Sequence, residues 1–333
     1  MRIAGAALLP LLLFACVSFE DARVTVSDGR YVMGTVLEMT LVAADEASGR
    51  AALAELFREA ERLDALLTVY DPESELSRLN AAAGQGARPV SPELAEVLRL
   101  SREWSALTAG SFDVTIGPLI ELWAEAAARG APPTAAELAT VLERIGWRHI
   151  RVHADGRAEI DREGVSVNLG GVAKGYALER MLPILARHGI GDALLNFGQS
   201  STWALGRPQD AEAWRLLARG PGESFLGVIR LRDQALSVSG GLGQWVEIGG
   251  ERYGHVLDPR TGQALRQRRE ALVVAPDAAL AEALSKALLV LGPEEGLALF
   301  DAQLDTEALL VEAGGAVWHT PGWNPAVRFE PLP

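Results

Sequence analysis

Val167-Asn168-Leu169-Gly170-Gly171-Val172-Ala173-Lys174-Gly175-Tyr176 is the stretch around which the rest of the chain organises. An apolar segment ends in paired glycines, and a helix opens at the lysine beyond them. Paired glycines let a backbone approach an anion with no Cβ in the way, and a lysine just past them sets an ammonium on that anion. The free amides stand beside a helix N-terminus, where the dipole favours negative charge. A phosphate is the economical ligand. The same residues also describe a tight strand-to-helix turn that binds nothing, and the loop alone leaves both readings open. It is not a P-loop, because Gly175 and Tyr176 follow Lys174 where Ser or Thr would hold magnesium, and it is not a dinucleotide fingerprint.

A second loop, His255-Val256-Leu257-Asp258-Pro259-Arg260-Thr261-Gly262, places a histidine at the end of a strand and a carboxylate in a proline-directed turn. Such a pair can hold a proton and a ribose or phosphate; alternatively, Asp258 bonds only its own turn. Between two helices, Gly110-Ser111-Phe112-Asp113 offers a ring to pack against a flat ligand and a carboxylate to bond it. His149, His153, His188 and His319 show no metal spacing and no carboxylate pairing, so they are read as non-ligands. No G-x-S-x-G occurs, which argues against a nucleophile-elbow hydrolase.

The elements around these loops do not alternate strictly. Residues 31–43 read as one strand and residues 47–67 as a helix. Ser91-Pro92, Gly117-Pro118 and Thr134-Ala135-Ala136-Glu137 each open a helix, the last with a capping box. Residues 149–153 and 157–161 form a hairpin. A helix runs from Lys174 to Gly189, with Pro183 kinking it or sitting in its first turns. Residues 194–206, 214–218, 227–231, 235–238 and 244–248 read as strands, and Asp277 caps a helix over Ala278–Leu291. The class expected is α+β, with mixed sheets and packed helices, rather than a doubly wound parallel fold.

With 333 residues, 49% hydrophobic and 23% charged, the chain can bury one large core or two medium ones. Its net charge of -13 and pI near 5.0 repel polyanions, so a phosphate must be held by a local pocket and nucleic acid is excluded as a partner. The basic run Arg266-Gln267-Arg268-Arg269 is read as a solvated surface loop. At the N-terminus, Arg2 precedes an apolar run over residues 6–15 that is too short to span a bilayer, the pattern of an export signal. Leu13-Phe14-Ala15-Cys16 resembles a bacterial lipoprotein cleavage box, and Cys16 is the only cysteine. Residues 1–20 are therefore expected to be signal and anchor, with Cys16 lipidated, and residues 21–333 a domain facing the periplasm from the cell envelope.

Taken in order, the motifs resemble the ApbE family of FAD:protein FMN transferases, which cleave FAD and attach FMN to a Ser or Thr of an acceptor protein. The resemblance rests on Met33-Gly34-Thr35, on residues 70–80 (Tyr70-Asp71-Pro72-Glu73-Ser74 and onward), on residues 112–119, on both central loops, and on Ala281-Glu282-Ala283-Leu284-Ser285-Lys286-Ala287-Leu288. It implies a flavin site at Met33, Tyr70, Ser111, Phe112, Asp113, Asn168, Lys174 and Val256. It also implies catalysis by His255, Asp258 and Lys174 at the pyrophosphate. Its partners would be an acceptor flavoprotein and, through the anchor, a membrane. One magnesium ion would sit at the Gly171 carbonyl and the late-helix positions Glu282, Ser285 and Lys286.

At that metal site the chain departs from the family. The family usually has Asp and Thr where this chain has Glu282 and Lys286, an Asp where it has Asn168, and Gly-Gly-Asp where it has Gly198-Gln199-Ser200. A protonated lysine cannot ligate a metal, so magnesium is doubtful here. Three outcomes stay open: a plain surface Glu282 to Lys286 pair, a lysine doing the metal's work, or a degenerate flavin-binding lipoprotein without transferase activity.

Overall fold

Met33 (φ 50°) and Gly34 (φ 74°) turn the chain back on itself and make a hairpin of β1 (Val24–Val32) and β2 (Thr35–Ala43). Tight hairpins need positive φ in their central residues. The single strand expected over residues 31–43 is thus the end of one strand and the whole of the next. Met33 accepts the left-handed conformation because the Asp64 carboxylate takes its N–H at 2.9 Å. The computed structural model describes residues 23–332, apart from 222–224, 242–243 and 302–304. Cys16 and the expected export signal lie outside the described residues.

The helices follow their local signals. α1 (Glu46–Leu67) starts at an Asp45–Ser48 capping box. After the break at residues 70–74 come α2 (Glu75–Ala81), the short β3 (Arg88–Pro89) and α3 (Pro92–Leu107), the last capped by Ser91. α4 (Gly117–Arg129) ends at left-handed Gly130. α5 (Ala135–Leu142) has the expected Thr134–Glu137 box. β4 (Ile150–Val152) and β5 (Arg157–Ile160) form the expected hairpin. α6 (Ala173–Arg187) carries Pro183 well past its first turn.

Residues 194–206 are two strands, β6 (Ala193–Phe197) and β7 (Ser201–Leu205), because Gly198 (φ 56°) and Gln199 (φ 61°) reverse the chain. Then come β8 (Trp214–Arg219), β9 (Phe225–Leu231), β10 (Gln234–Gly240), β11 (Trp245–Ile248) and β12 (Glu251–Gly254). The chain continues through β13 (Arg269–Ala275), the Asp277-capped α7 (Ala278–Leu291) and α8 (Pro293–Ala298). It closes with β14 (Glu307–Glu312), β15 (Val317–His319), α9 (Trp323–Val327) and β16 (Glu330–Pro331).

The α+β class holds. An eight-stranded sheet in the order β1-β2-β6-β7-β10-β13-β14-β15 is antiparallel at every strand pair. Successive side chains of a strand point to opposite faces, and β13 shows both faces covered. Ala271, Val273 and Ala275 pack with Ala281, Leu284 and Leu288 of α7. Leu272 and Val274 pack on the other side with Ile229 and Leu231 of β9 and Trp323 of α9. A strand buried on both faces has no polar alternation, which hid β13 from a period-two reading. Full burial of each Leu or Val there contributes about 1.5–3 kcal/mol. Alongside, α4 and α5 pack on β11–β12 and the following loop through Leu119, Trp123, Leu138, Ile248 and Leu257.

Candidate active site

Two hairpin turns (Met33-Gly34 and Gly198-Gln199-Ser200), the N-terminus of α6, one face of α7 and the loop after β12 open onto a single cleft of about 920 Å³. Small-molecule pockets run from ~300 to ~1,000 Å³, so this one has room for a dinucleotide. Among its walls are Met33, Tyr70, Ser111, Phe112, Asp113, Asn168, Gly171, Lys174, His255, Val256, Glu282 and Lys286. The candidate residues are therefore gathered from distant parts of the chain, with two exceptions. Asp258 and Ser285 do not line the cleft.

Asp258 is buried in its own turn. One carboxylate oxygen accepts the Arg260 backbone N–H at 2.9 Å and Nε at 3.0 Å, the other takes Nη2 at 3.1 Å, and its carbonyl accepts the Gly262 N–H at 2.8 Å. Its work is to shape the loop behind His255. Asp113 is likewise engaged by protein: Oδ1 accepts from the Thr115 N–H (2.9 Å) and hydroxyl (2.7 Å), and Oδ2 from the Trp147 N–H (2.8 Å). Burial pushes its pKa up, against those hydrogen bonds. Phe112, 5% exposed, stands on this turn as an apolar wall, and Ser111 donates to the Thr108 carbonyl at 2.8 Å. Tyr70 is 93% exposed at the cleft's rim, where a ligand ring can cover it.

The polar wall is cationic. Lys174, in the first turn of α6, donates to the Ser200 hydroxyl. Lys286, half-buried on α7, donates to the Glu282 carbonyl at 3.2 Å. Loss of water pushes its pKa down to about 8, with Lys174 adding to the fall and Glu282 opposing it. His255 follows β12, and both its backbone N–H and its Nδ1 meet the Gln244 carbonyl at 3.0 Å. A carbonyl only accepts, so Nδ1 carries the hydrogen and Nε2 keeps its lone pair. The ring is open to the cleft, yet the surrounding walls strip enough water to lower its pKa, and Lys286 and Lys174 lower it further.

Glu282 is 1% exposed and serves the scaffold. One oxygen accepts the Gly175 N–H at 3.0 Å and the other accepts the Ser201 hydroxyl. A carboxylate there satisfies an orphan amide at the positive end of α6. Gly175 makes the approach possible, since a Cβ on it would lie 2.5 Å from the Ala278 carbonyl oxygen. Ser285 is fully buried, meeting the hydroxyls of Ser237 (3.0 Å) and Ser239 (2.8 Å) of β10 and donating to the Glu282 carbonyl at 3.0 Å.

Magnesium needs several oxygens free to point at it, usually with at least one carboxylate. The residues at the expected metal positions do not supply that set: the Glu282 carboxylate and Ser285 hydroxyl are consumed inside the protein, and Lys286 brings an ammonium. Asn168 spends its side-chain oxygen on the Gly170 N–H at 2.9 Å. A Cβ on Gly171 would meet the Phe112 ring at 3.3 Å and the Lys286 stem at 3.4 and 3.5 Å, so the lysine stem lies beside Gly171 itself. Among the described residues, no group of three or more His, Cys, Asp and Glu could hold a metal ion. Three of the other histidines do find carboxylates, contrary to expectation, while His319 meets the Thr320 carbonyl at 2.8 Å. His149 meets Asp161 and His188 meets Glu55, each at 2.8 Å, and His153 lies 3.7 Å from Glu159; each contact brings one histidine to one carboxylate that an arginine also pairs, not a metal set.

Sequence reasoning missed Glu270 and Arg219, which also line the cleft. Burial pushes Glu270 up to about 7, with Arg219 opposing the shift. Its place on unrecognised β13 concealed it. The serines of the β6–β7 turn were missed as partners of Lys174 and Glu282, since nothing in their spacing marks that contact.

Comparison with known proteins agrees with this geometry. A FAD:protein FMN transferase of Klebsiella pneumoniae (strain 342) is 29% identical over 308 residues, covering 89% of this chain and 87% of that one. The solved flavin transferase ApbE from Vibrio cholerae superposes with a TM-score of 0.79 at 25% identity, covering 91% of this chain and 99% of that one. The apo form of Pseudomonas stutzeri flavinyl transferase ApbE gives 0.80 at 25% identity, with 92% and 97% covered. The model of the ApbE family matches residues 33–310, a span that takes in the Met33 turn, both central loops and α7: the chain belongs to the ApbE family.

Proposed function

We propose that this protein is a FAD:protein FMN transferase whose reaction takes place in the cleft between α6 and α7. The observation that carries the reading is the convergence of a neutral-poised histidine, a lysine ammonium and an aromatic wall in one dinucleotide-sized cleft, within a chain of the ApbE family. The flavin lies toward Met33, Tyr70 and Phe112, and the pyrophosphate toward Lys174 and the α6 N-terminus. Val256 and the backbone near Asn168 complete the wall.

The acceptor's Ser or Thr oxygen attacks the phosphorus on the FMN side of the pyrophosphate. The bond from that phosphorus to the bridging oxygen breaks, AMP leaves with the bridging oxygen, and FMN stays on the acceptor as a phosphoester. The acceptor's proton goes to His255 Nε2, the lone pair that the Gln244 contact leaves available. Lys174 meets the charge on the phosphates, and the rest of the protein's task is positioning. Because the donor set does not fit magnesium, no step is assigned to a metal. Lipidation at Cys16 and a place on the periplasmic side of the envelope belong to the same proposal, supported by the apolar run and cleavage-box pattern of residues 6–16.

The test is a titration of the purified protein with FAD, followed by chromatography for AMP. The expected result is saturable FAD binding, with stoichiometric AMP only when an acceptor protein is added. No binding, or binding with His255→Ala releasing AMP as fast as the wild type, contradicts the assignment.

A further inference from the structure

We infer that Lys286 occupies the place and takes the task of the divalent cation, so that FAD's pyrophosphate is held between two ammonium groups, those of Lys174 and Lys286, without a metal. The inference rests on the functional reading above and adds to it how the anion is neutralised.

Four observations carry it. The Lys286 stem lies against Gly171, whose carbonyl is the backbone position expected to face a metal. Among the described residues its ammonium has one protein acceptor, the Glu282 carbonyl at 3.2 Å, and an ammonium has three donors, so hydrogens remain for a ligand. Lys286 and Lys174 both line the cleft beside His255, and both lower the pKa of its ring, so the two charges share one cleft.

At the α7 positions expected to hold a metal, the oxygens that would compete for this ammonium are tied up. The Glu282 carboxylate serves Gly175 and Ser201, and the Ser285 hydroxyl serves Ser237, Ser239 and the Glu282 carbonyl. A surface Glu282 to Lys286 pair is excluded, since Glu282 is 1% exposed and its carboxylate is committed elsewhere. The pyrophosphate diester of FAD carries two negative charges, and two lysines match them. A metal arriving here would meet two like charges in the same cleft.

The experiment titrates the full-length wild-type protein with FAD and with riboflavin, in EDTA and in magnesium, reading flavin fluorescence. The inference expects the same FAD affinity in both buffers. Lys286→Met, which keeps the stem and removes the charge, weakens FAD binding by about tenfold or more, the size of a lost charge-assisted hydrogen bond, and leaves riboflavin binding unchanged. Lys286→Arg restores most of the loss. A thermal melt accompanies each variant, and the comparison of EDTA with magnesium needs no variant at all. Wild-type FAD binding that disappears in EDTA overturns the inference, as does a folded Lys286→Met protein that binds FAD normally in EDTA. Failure of the folded wild type to bind FAD in either buffer overturns the functional reading itself, and this inference with it.

Discussion

The carboxylate of Glu282 on α7 accepts the backbone N–H of Gly175 in the first turn of α6, at 3.0 Å. One side chain thereby caps a helix, joins two helices where Gly175 lets them approach closely and, through Ser201, reaches the start of β7. Loss of the carboxylate leaves the buried Gly175 N–H without its acceptor, at about 1–3 kcal/mol, and leaves the buried Ser201 hydroxyl to the longer contact with the Ser200 hydroxyl at 3.3 Å. Glu282→Ala is expected to lose about 2–4 kcal/mol of stability in urea unfolding carried out in EDTA, with Glu282→Gln losing less. A residue whose only work were to ligate a metal would show no loss in metal-free buffer.

Lys174→Ala separates ligands that carry the pyrophosphate from those that do not. FAD affinity is expected to fall by about tenfold or more while riboflavin affinity holds, since a charge-assisted contact is lost only for FAD. Equal losses for both flavins would place Lys174 away from the phosphates.

His255 governs the acid side of the rate profile. A base works only when unprotonated, and loss of water, together with Lys286 and Lys174, holds this histidine below its ordinary 6.5. The pH at which AMP release in the presence of acceptor falls to half its maximum should therefore lie below 6.5. His255→Asn should keep FAD binding and lose AMP release. A rate already halved at pH 6.5 would mean that neither the loss of water nor the two lysines depresses this ring.

Glu270 makes the ligand-free fold sensitive to rising pH. Its pKa rises from 4.5 to about 7 on folding, so between those values the folded chain holds a proton that the unfolded chain has released. The associated stability is complete below pH 4.5 and is lost as pH rises through about 7. Glu270→Gln imitates the protonated form. Relative to wild type it should gain on the order of 1 kcal/mol at pH 8 and little at pH 4.5, visible as a melting temperature a few degrees higher. An identical wild-type-to-variant difference at both pH values would show that Glu270 titrates normally.

What could be read from the sequence was what neighbouring residues settle between themselves. Ser91 with Pro92, Thr134 with Glu137, and Asp277 open their helices through contacts within one turn, and all three stand as expected. The hairpin turns were unreadable because Met33 and Gln199 take left-handed conformations held by Asp64 and Asn196 side chains. β13 was missed because burial on both faces erases alternation. In the site, residue identity was legible and partnership was not. The two loops named Lys174 and His255, which both line the cleft, and Asp258 bonds its own turn, the alternative that loop offered, while Asp113 and Ser285 have protein partners that no spacing announces.

The most direct test of the account is covalent flavin itself. Envelope proteins from a strain lacking this protein are incubated with FAD and the purified protein in EDTA, then run on a denaturing gel and viewed for flavin fluorescence. AMP is measured in the same tube. The account predicts a fluorescent acceptor band, AMP in equal amount, and loss of both with His255→Asn. If neither band nor AMP appears, in EDTA or in magnesium, although the folded protein binds FAD, the transferase assignment is contradicted.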